Sequence, residues 1–262
     1  MDLGLANKVA LVCGASKGIG YAVAEELARE RASLAICARD GASLDSAAKR
    51  LAAAGAMVEP IVADLSTSAG IAAAIARTTE RYGRADVLVT NTGGPPTATA
   101  MGHEWAAWQQ AAELLLRSAV ELTRAFVPGM RERKWGRVIG ITSRAVKQPV
   151  VGLVLSNSLR AAVTGYYRTL AEEVAADGVT VNTVMPGFIE TERLVELAEA
   201  TSKRTGENVE AIYERYRSET PARRIGKPAE IAAAVAFLAS ERAGFITGQA
   251  ILVDGGSVRT LL

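Results

Sequence analysis

Seven short, β-branched, apolar runs alternate with alanine-rich amphipathic stretches along the whole chain, and that rhythm leaves few architectures open. The runs lie at 9–13, 34–38, 57–63, 87–90, 138–142, 179–184 and 250–253. Most are apolar almost without interruption. A strand that reads this way is covered on both faces, as in a parallel sheet; a half-exposed strand alternates apolar and polar residues. The stretches between them lie at 19–31, 43–54, 69–82, 104–133, 152–176 and 229–240 and space their apolar residues along one helical face. Strand and helix in strict succession predict an α/β fold. It should be a doubly wound parallel sheet of about seven strands with helices on both faces.

At 262 residues the chain suits one large domain. No Pro-, Gly- or Ser-rich linker, low-complexity tract or repeat divides it, so a single domain over 1–262 is expected. The balance of 30 basic and 28 acidic residues gives a net charge of +2. That argues against nucleic acid or an anionic membrane surface as a partner and leaves a small-molecule substrate. Two cysteines, Cys13 and Cys37, sit inside apolar runs and read as small buried side chains. With one histidine, His103, no metal site is expected. The N-terminal MDLGLANKVALVCG lacks a signal-peptide pattern, no run reaches membrane-spanning length, and a cytoplasmic location is expected. The rhythm breaks at 189–224, a charged, helix-prone segment after the sixth strand. An insertion there is expected to be a substrate lid, or else a solvated helical hairpin.

The ends of the strands carry the chemistry. Gly14-Ala15-Ser16-Lys17-Gly18-Ile19-Gly20 joins the first strand to the first helix. Glycines let a backbone turn tightly against a pyrophosphate, and a helix N-terminus offers free N–H groups and a positive dipole end. This is the Rossmann-type arrangement. The second strand ends Ala38-Arg39-Asp40. Arg39, with Lys17 in the glycine loop, suits a 2′-phosphate, which favours NADP(H) over NAD(H). Asp40 could serve the ribose if the strand runs one residue longer. Asp64 and Leu65 end the third strand, where a carboxylate can accept from an adenine amino group. Asn91-Thr92-Gly93-Gly94 ends the fourth, Gly93 admitting close backbone approach and Asn91 bracing the neighbouring strand. Pro186, Gly187, Ile189 and Thr191 follow the sixth, where backbone and hydroxyl groups can reach a nicotinamide amide.

Taken in this order, the motifs GASKGIG, Asp64, NTGG, the Ser143 strand end, VNTVMPG and ITGQAILVDGG resemble the short-chain dehydrogenase/reductase family over almost the whole chain. The resemblance is nearest to the branch of 3-oxoacyl-acyl-carrier-protein reductases. It implies a catalytic asparagine, serine, tyrosine and lysine, and a homo-oligomer, dimer or homotetramer. In that assembly, segments 104–133 and 152–176 pair across one two-fold and the ITGQAILVDGG region across another.

Ser143 matches the family's serine. A count without gaps from Ser143 puts Ser156 at the tyrosine position and Arg160 at the lysine position. A count back from Pro128-Gly129-Met130 puts Leu115 at the asparagine position. The expected catalytic residues are therefore Ser143, Ser156 and Arg160, with Arg160 also on the nicotinamide ribose.

An aliphatic hydroxyl is a far weaker acid than a phenol, whose pKa is about 10. An arginine stays charged and relays no proton. Losing a positioned acid costs roughly 10²- to 10⁴-fold in rate. Tyr166 and Tyr167 lie more than two turns beyond Ser156. Arg144 and Lys147 leave the fifth strand beside Ser143, either toward substrate or toward solvent. His103 reads as a surface or satisfied side chain. The substrate pocket is expected to draw on 94–101, 144–153 and the lid. Two main readings stand: an NADP(H)-dependent oxidoreductase of a carbonyl or hydroxyl compound with an atypical proton donor, and an NADP(H)-binding sensor or partner protein with little or no catalysis. A dehydration or isomerisation in the same pocket is a third.

Overall fold

A computed structural model describes residues 2–261. Seven strands form one parallel sheet: β1 (Val9–Cys13), β2 (Ser33–Ala38), β3 (Val58–Val62), β4 (Val87–Thr90), β5 (Gly136–Ile141), β6 (Val179–Pro186) and β7 (Ala250–Val253). Their order is β3-β2-β1-β4-β5-β6-β7. The chain winds outward from β1 to β3, returns to the centre at β4 and winds out the other way. The reversal lies between β1 and β4, and a crevice opens there at the carboxyl ends of the strands. Pro60 lies in β3, at the sheet edge, where a missing N–H leaves no ladder bond unmade.

The unbroken apolar runs follow from burial on both faces. Along β1, Ala10 and Val12 pack into one core layer, while Leu11 and Cys13 pack into the other. The first layer lies under α1 (Gly18–Arg29), α2 (Gly41–Ala53) and α9 (Pro228–Ala239), where Val23, Leu27, Ile231 and Val235 are fully buried. Each side chain of that size contributes about 1.5–3 kcal/mol on burial. The second layer lies under α3 (Ser68–Tyr82), α5 (Ser118–Glu132) and α6 (Val154–Val174). Cys13 and Cys37 face one another in register in this layer as free thiols. The thiol contact with Cys37, and then burial, push the Cys13 thiol up, so neither is a ready nucleophile.

Helix starts obey local chemistry. Asp40 caps α2 by accepting from the Ser43 N–H at 2.8 Å, and Thr67 caps α3 by accepting from Gly70 at 3.0 Å. β2 ends at Ala38, so Asp40 belongs to the helix cap and not to a longer strand.

Two expectations need correction. The single helix over 104–133 is three segments: α4 (Trp105–Ala112), a π-helical turn (Glu113–Arg117) and α5. The Ser118 hydroxyl donates to Leu114 O at 2.5 Å beside the wide turn, and Glu113 and Glu121 clasp Arg117 across it. Segment 189–224 is a helical hairpin, α7 (Glu192–Thr205) and α8 (Val209–Glu219), with a small core of its own around Leu194, Ala198, Ile212 and Tyr216. No helix among the described residues is long and apolar enough to cross a membrane.

Candidate active site

The largest cleft, about 780 Å³, runs along the carboxyl ends of the strands. Its volume falls within the range of small-molecule and cofactor sites. Gly14, Ser16, Lys17, Gly18, Ile19, Arg39, Asp64, Leu65, Asn91, Gly93, Ser143, Ser156, Arg160, Pro186, Gly187, Ile189 and Thr191 all line it. Gly20 lies just beneath, buried in the first turn of α1.

The glycine loop is shaped by close approach. Gly14 and Gly18 hold φ of +60° and +59°, a region that side chains rarely adopt. A Cβ on Gly20 would stand 2.7 Å from the Gly14 carbonyl carbon, closer still to its oxygen, and 2.9 Å from Asn91 Nδ2. Asn91 closes the cradle by donating to Cys13 O at 3.3 Å and Gly14 O at 3.4 Å, tying β4 to the loop after β1. Only a chain without side chains at these points leaves its N–H groups open to an anion.

Around the loop, charge is sorted by position. Arg39 is exposed at the end of β2, close to Gly93, and its charge reaches Asp64. Asp64 accepts from the Ser66 N–H at 3.0 Å and the Ser66 hydroxyl at 2.8 Å. The first of these bonds does most to hold its carboxyl below the usual range. Lys17 reaches across to Glu192, at the start of α7. Arg193 crosses the cleft beside it, donating to Pro95 O at 2.9 Å and pairing with Glu196 at 3.0 Å. The hairpin thus touches both the glycine loop and the loop after β4.

One wall of the cleft brings together Ser143, Ser156 and Arg160. Arg160 Nε donates to Ser156 Oγ at 3.2 Å, while Nη1 donates to Ile141 O at 2.9 Å and Thr142 O at 3.2 Å. The i, i+4 spacing on α6 puts both side chains on one face, and the guanidinium ties that face to the end of β5. Only Nη2 is left without a protein acceptor among the described residues, so the fork foreseen for ribose hydroxyls is largely spent on backbone carbonyls. Burial, with the Arg193 charge as a second cause, pushes the Arg160 pKa down to about 10, and it stays cationic at neutral pH. Ser143 Oγ accepts from the Ala145 N–H at 3.1 Å.

The other candidate acids lie elsewhere. The Tyr167 hydroxyl is bonded to Thr90 at 2.7 Å in the core, and burial pushes its phenol above the ordinary range. The Tyr166 hydroxyl is bonded to Thr123 at 2.7 Å. Lys147 is exposed. Arg144 faces neither solvent nor this cleft: it stacks on Phe188 with 4.3 Å to the ring centroid. His103 is neither a surface nor a satisfied histidine, since its Nε2 is buried without a partner. Leu115 lies in the π-helical turn, and its neighbour Leu114 lines the cleft. Of the loops expected to form the pocket, Gly94 and Leu153 contribute, with Arg193, Leu194, Glu196 and Leu197 of α7. The sequence reading missed these α7 residues, which follow Thr191 directly in a helical pattern.

Comparison with known proteins agrees with this geometry. Residues 14–258 match the family described as Enoyl-(Acyl carrier protein) reductase. The 3-oxoacyl-(acyl-carrier-protein) reductase FabG of Vibrio cholerae is 35% identical over 254 residues, covering 97% of this chain and 98% of that protein. The L-sorbose reductase of Gluconobacter frateurii, solved with NADPH and L-sorbose, superposes with a TM-score of 0.93 at 36% identity and covers 100% of both chains. YwfH, described as an NADPH dependent reductase involved in bacilysin biosynthesis, superposes with a TM-score of 0.93 at 30% identity over 98% of this chain and all of that one. A glycine cradle at the reversal of strand order, near-complete coverage and these identities place the chain in the short-chain dehydrogenase/reductase family of oxidoreductases.

Proposed function

We propose that this chain is an NADP(H)-dependent oxidoreductase of a carbonyl or hydroxyl compound whose proton donor is not a phenol. The observation that carries the reading is the meeting of Ser143, Ser156 and Arg160 on one wall of a cleft whose floor is the glycine cradle. We take Ser156, Arg160 and Leu115 to stand where the family carries tyrosine, lysine and asparagine.

The residues present fit the dinucleotide. Gly14, Ser16, Gly18, Ile19 and Gly20 would hold the pyrophosphate on open N–H groups at the start of α1. Arg39 and Lys17 would meet the 2′-phosphate, Asp64 and Leu65 the adenine, and Asn91 and Gly93 the adjoining ribose. Arg160 Nη2 would reach the nicotinamide ribose, and Pro186, Gly187, Ile189 and Thr191 the carboxamide. When bound, the cofactor supplies or accepts the hydride. NADPH in the described relatives supports the phosphorylated form, and Asp40, engaged in capping α2, does not compete for the ribose. Ser143 orients the substrate oxygen, and Ser156, backed by the Arg160 guanidinium, donates a hydrogen bond to it. The proton then comes from water. The hairpin 189–224 acts as the lid, with Arg193 as its contact across the cleft.

Calorimetry checks the cofactor. NADPH should bind more tightly than NADH, and Arg39→Ala should remove roughly 10- to 100-fold of that preference. A charge-assisted hydrogen bond contributes about 1.5–3 kcal/mol, and 1.4 kcal/mol is tenfold. Equal affinities in the parent protein would defeat the assignment. NADPH consumption against ketones, diketones and acyl thioesters then separates enzyme from binding protein. The binding-only reading gains from the absence of a free phenol in the wall. It prevails if the cofactor binds and nothing is reduced above background.

Self-association is also proposed. Phe245 is fully exposed, and the apolar strand β7 is only half-buried at the sheet edge. Light scattering should read a mass above one chain, and a 27.5 kDa particle would contradict it.

A further inference from the structure

Two hydroxyl groups in the catalytic wall have their oxygens occupied and their protons free. Ser143 Oγ accepts from Ala145, and Ser156 Oγ accepts from Arg160. Neither donates to a protein atom among the described residues. Ser156 is 8% exposed, and a buried O–H without an acceptor is costly, so the geometry calls for an oxygen from outside the chain. With a guanidinium behind Ser156, the pair suits an oxygen on which negative charge develops.

No group in that wall can give such an oxygen a proton at neutral pH. Both nearby tyrosine hydroxyls are bonded to threonines in the core. Arg160 is anchored on two carbonyls. Glu192 and Glu196 are held in ion pairs. Hydride addition to a saturated ketone leaves an alkoxide on this oxygen, a very strong base that needs an acid at once. Hydride addition to the far carbon of a conjugated C=C leaves an enolate, whose charge is shared between oxygen and carbon and is far less basic. A site with donors and no acid distinguishes the two.

We infer that this site reduces the C=C bond of an α,β-unsaturated carbonyl compound in preference to the carbonyl of a saturated ketone; the inference rests on the oxidoreductase reading above. The hydride forms a C–H bond at the β-carbon, and the C=C π pair moves toward the carbonyl. The resulting enolate oxygen lies between Ser143 and Ser156. A proton from water then bonds to the α-carbon as the C=O reforms. NADPH is oxidised, the C=C bond is reduced, and no side chain changes its protonation.

The full chain is given NADPH deuterated at the transferred position, with 2-cyclohexenone and cyclohexanone in parallel. The expected product from the enone is cyclohexanone with deuterium on the β-carbon. Added cyclohexanone should react roughly 10²-fold more slowly or worse. A second readout needs no turnover: a chlorinated phenol titrated into the site, its absorbance reporting ionisation. Bound phenol should ionise about tenfold more readily than in water, one pKa unit. Ser156→Ala, which leaves Arg160 on Ile141 and Thr142, should lose most of that gain. Four results would overturn the inference: deuterium on the carbinol carbon of an allylic alcohol, equal rates for the two ketones, an enone untouched by NADPH-saturated protein, or a bound phenol that ionises no more readily than in water. Failure to bind NADPH would remove the oxidoreductase reading itself.

Discussion

Gly20→Ala is expected to abolish dinucleotide binding while leaving a folded protein of reduced stability. The new methyl group would meet backbone on one side, with the Gly14 carbonyl carbon at 2.7 Å, and Asn91 Nδ2 on the other at 2.9 Å. Neither can retreat cheaply. Gly14 is held at φ +60° between β1 and α1, and Asn91 is committed to Cys13 O and Gly14 O. Overpacking of this kind costs about 1–3 kcal/mol of stability. The larger effect falls on the ligand. Moving the loop breaks the Asn91 brace and swings the open N–H groups away from the pyrophosphate. Affinity for NADPH should fall by roughly 10²-fold or more, beyond calorimetric detection at ordinary concentrations. Circular dichroism and a cooperative melt establish that the variant is folded. A folded Gly20→Ala protein that binds NADPH like the parent would mean that the loop is not the cradle.

Ser156→Tyr combined with Arg160→Lys should raise the rate of saturated-ketone reduction by roughly 10²- to 10⁴-fold, the span that a positioned general acid supplies. Ser156 lines the cleft beside Ser143, so a phenol in its place projects toward the same oxygen. A lysine at 160 can keep one of the two carbonyl bonds, to Ile141 or Thr142, and its charge favours ionisation of the phenol. The gain should appear in kcat for ketones and be small for conjugated enones, which need no acid on oxygen. No gain for ketones, in a variant that still binds NADPH, would mean that residues 156 and 160 do not occupy the acid's place.

The architecture was legible because its signals are local. Residues 9–13, 87–90 and 250–253 are strands with the bounds the apolar runs predict, since a strand buried on both faces writes itself as continuous hydrophobicity. The glycine loop, Asp64, Asn91 and the turn after β6 also lie at strand ends, where the alternation puts them. The interruption of 104–133 escaped notice because a π-helical turn keeps the same amphipathic stripe and differs only in which carbonyl each N–H meets.

By itself the sequence determined the order of strands and helices, the cradle and the identity of the residues at 143, 156 and 160. Those follow from periods of two and 3.6 residues and from glycine's freedom, which need no knowledge of distant neighbours. Only the tertiary structure decided what those side chains are bonded to. Arg160 lies on the carbonyls of Ile141 and Thr142, Tyr167 is locked onto Thr90 across 77 positions, and Lys17 is paired with Glu192 across 175. Such partners meet because the sheet folds them together, and a hydrogen bond between residues so far apart in the chain leaves no periodic trace in either segment.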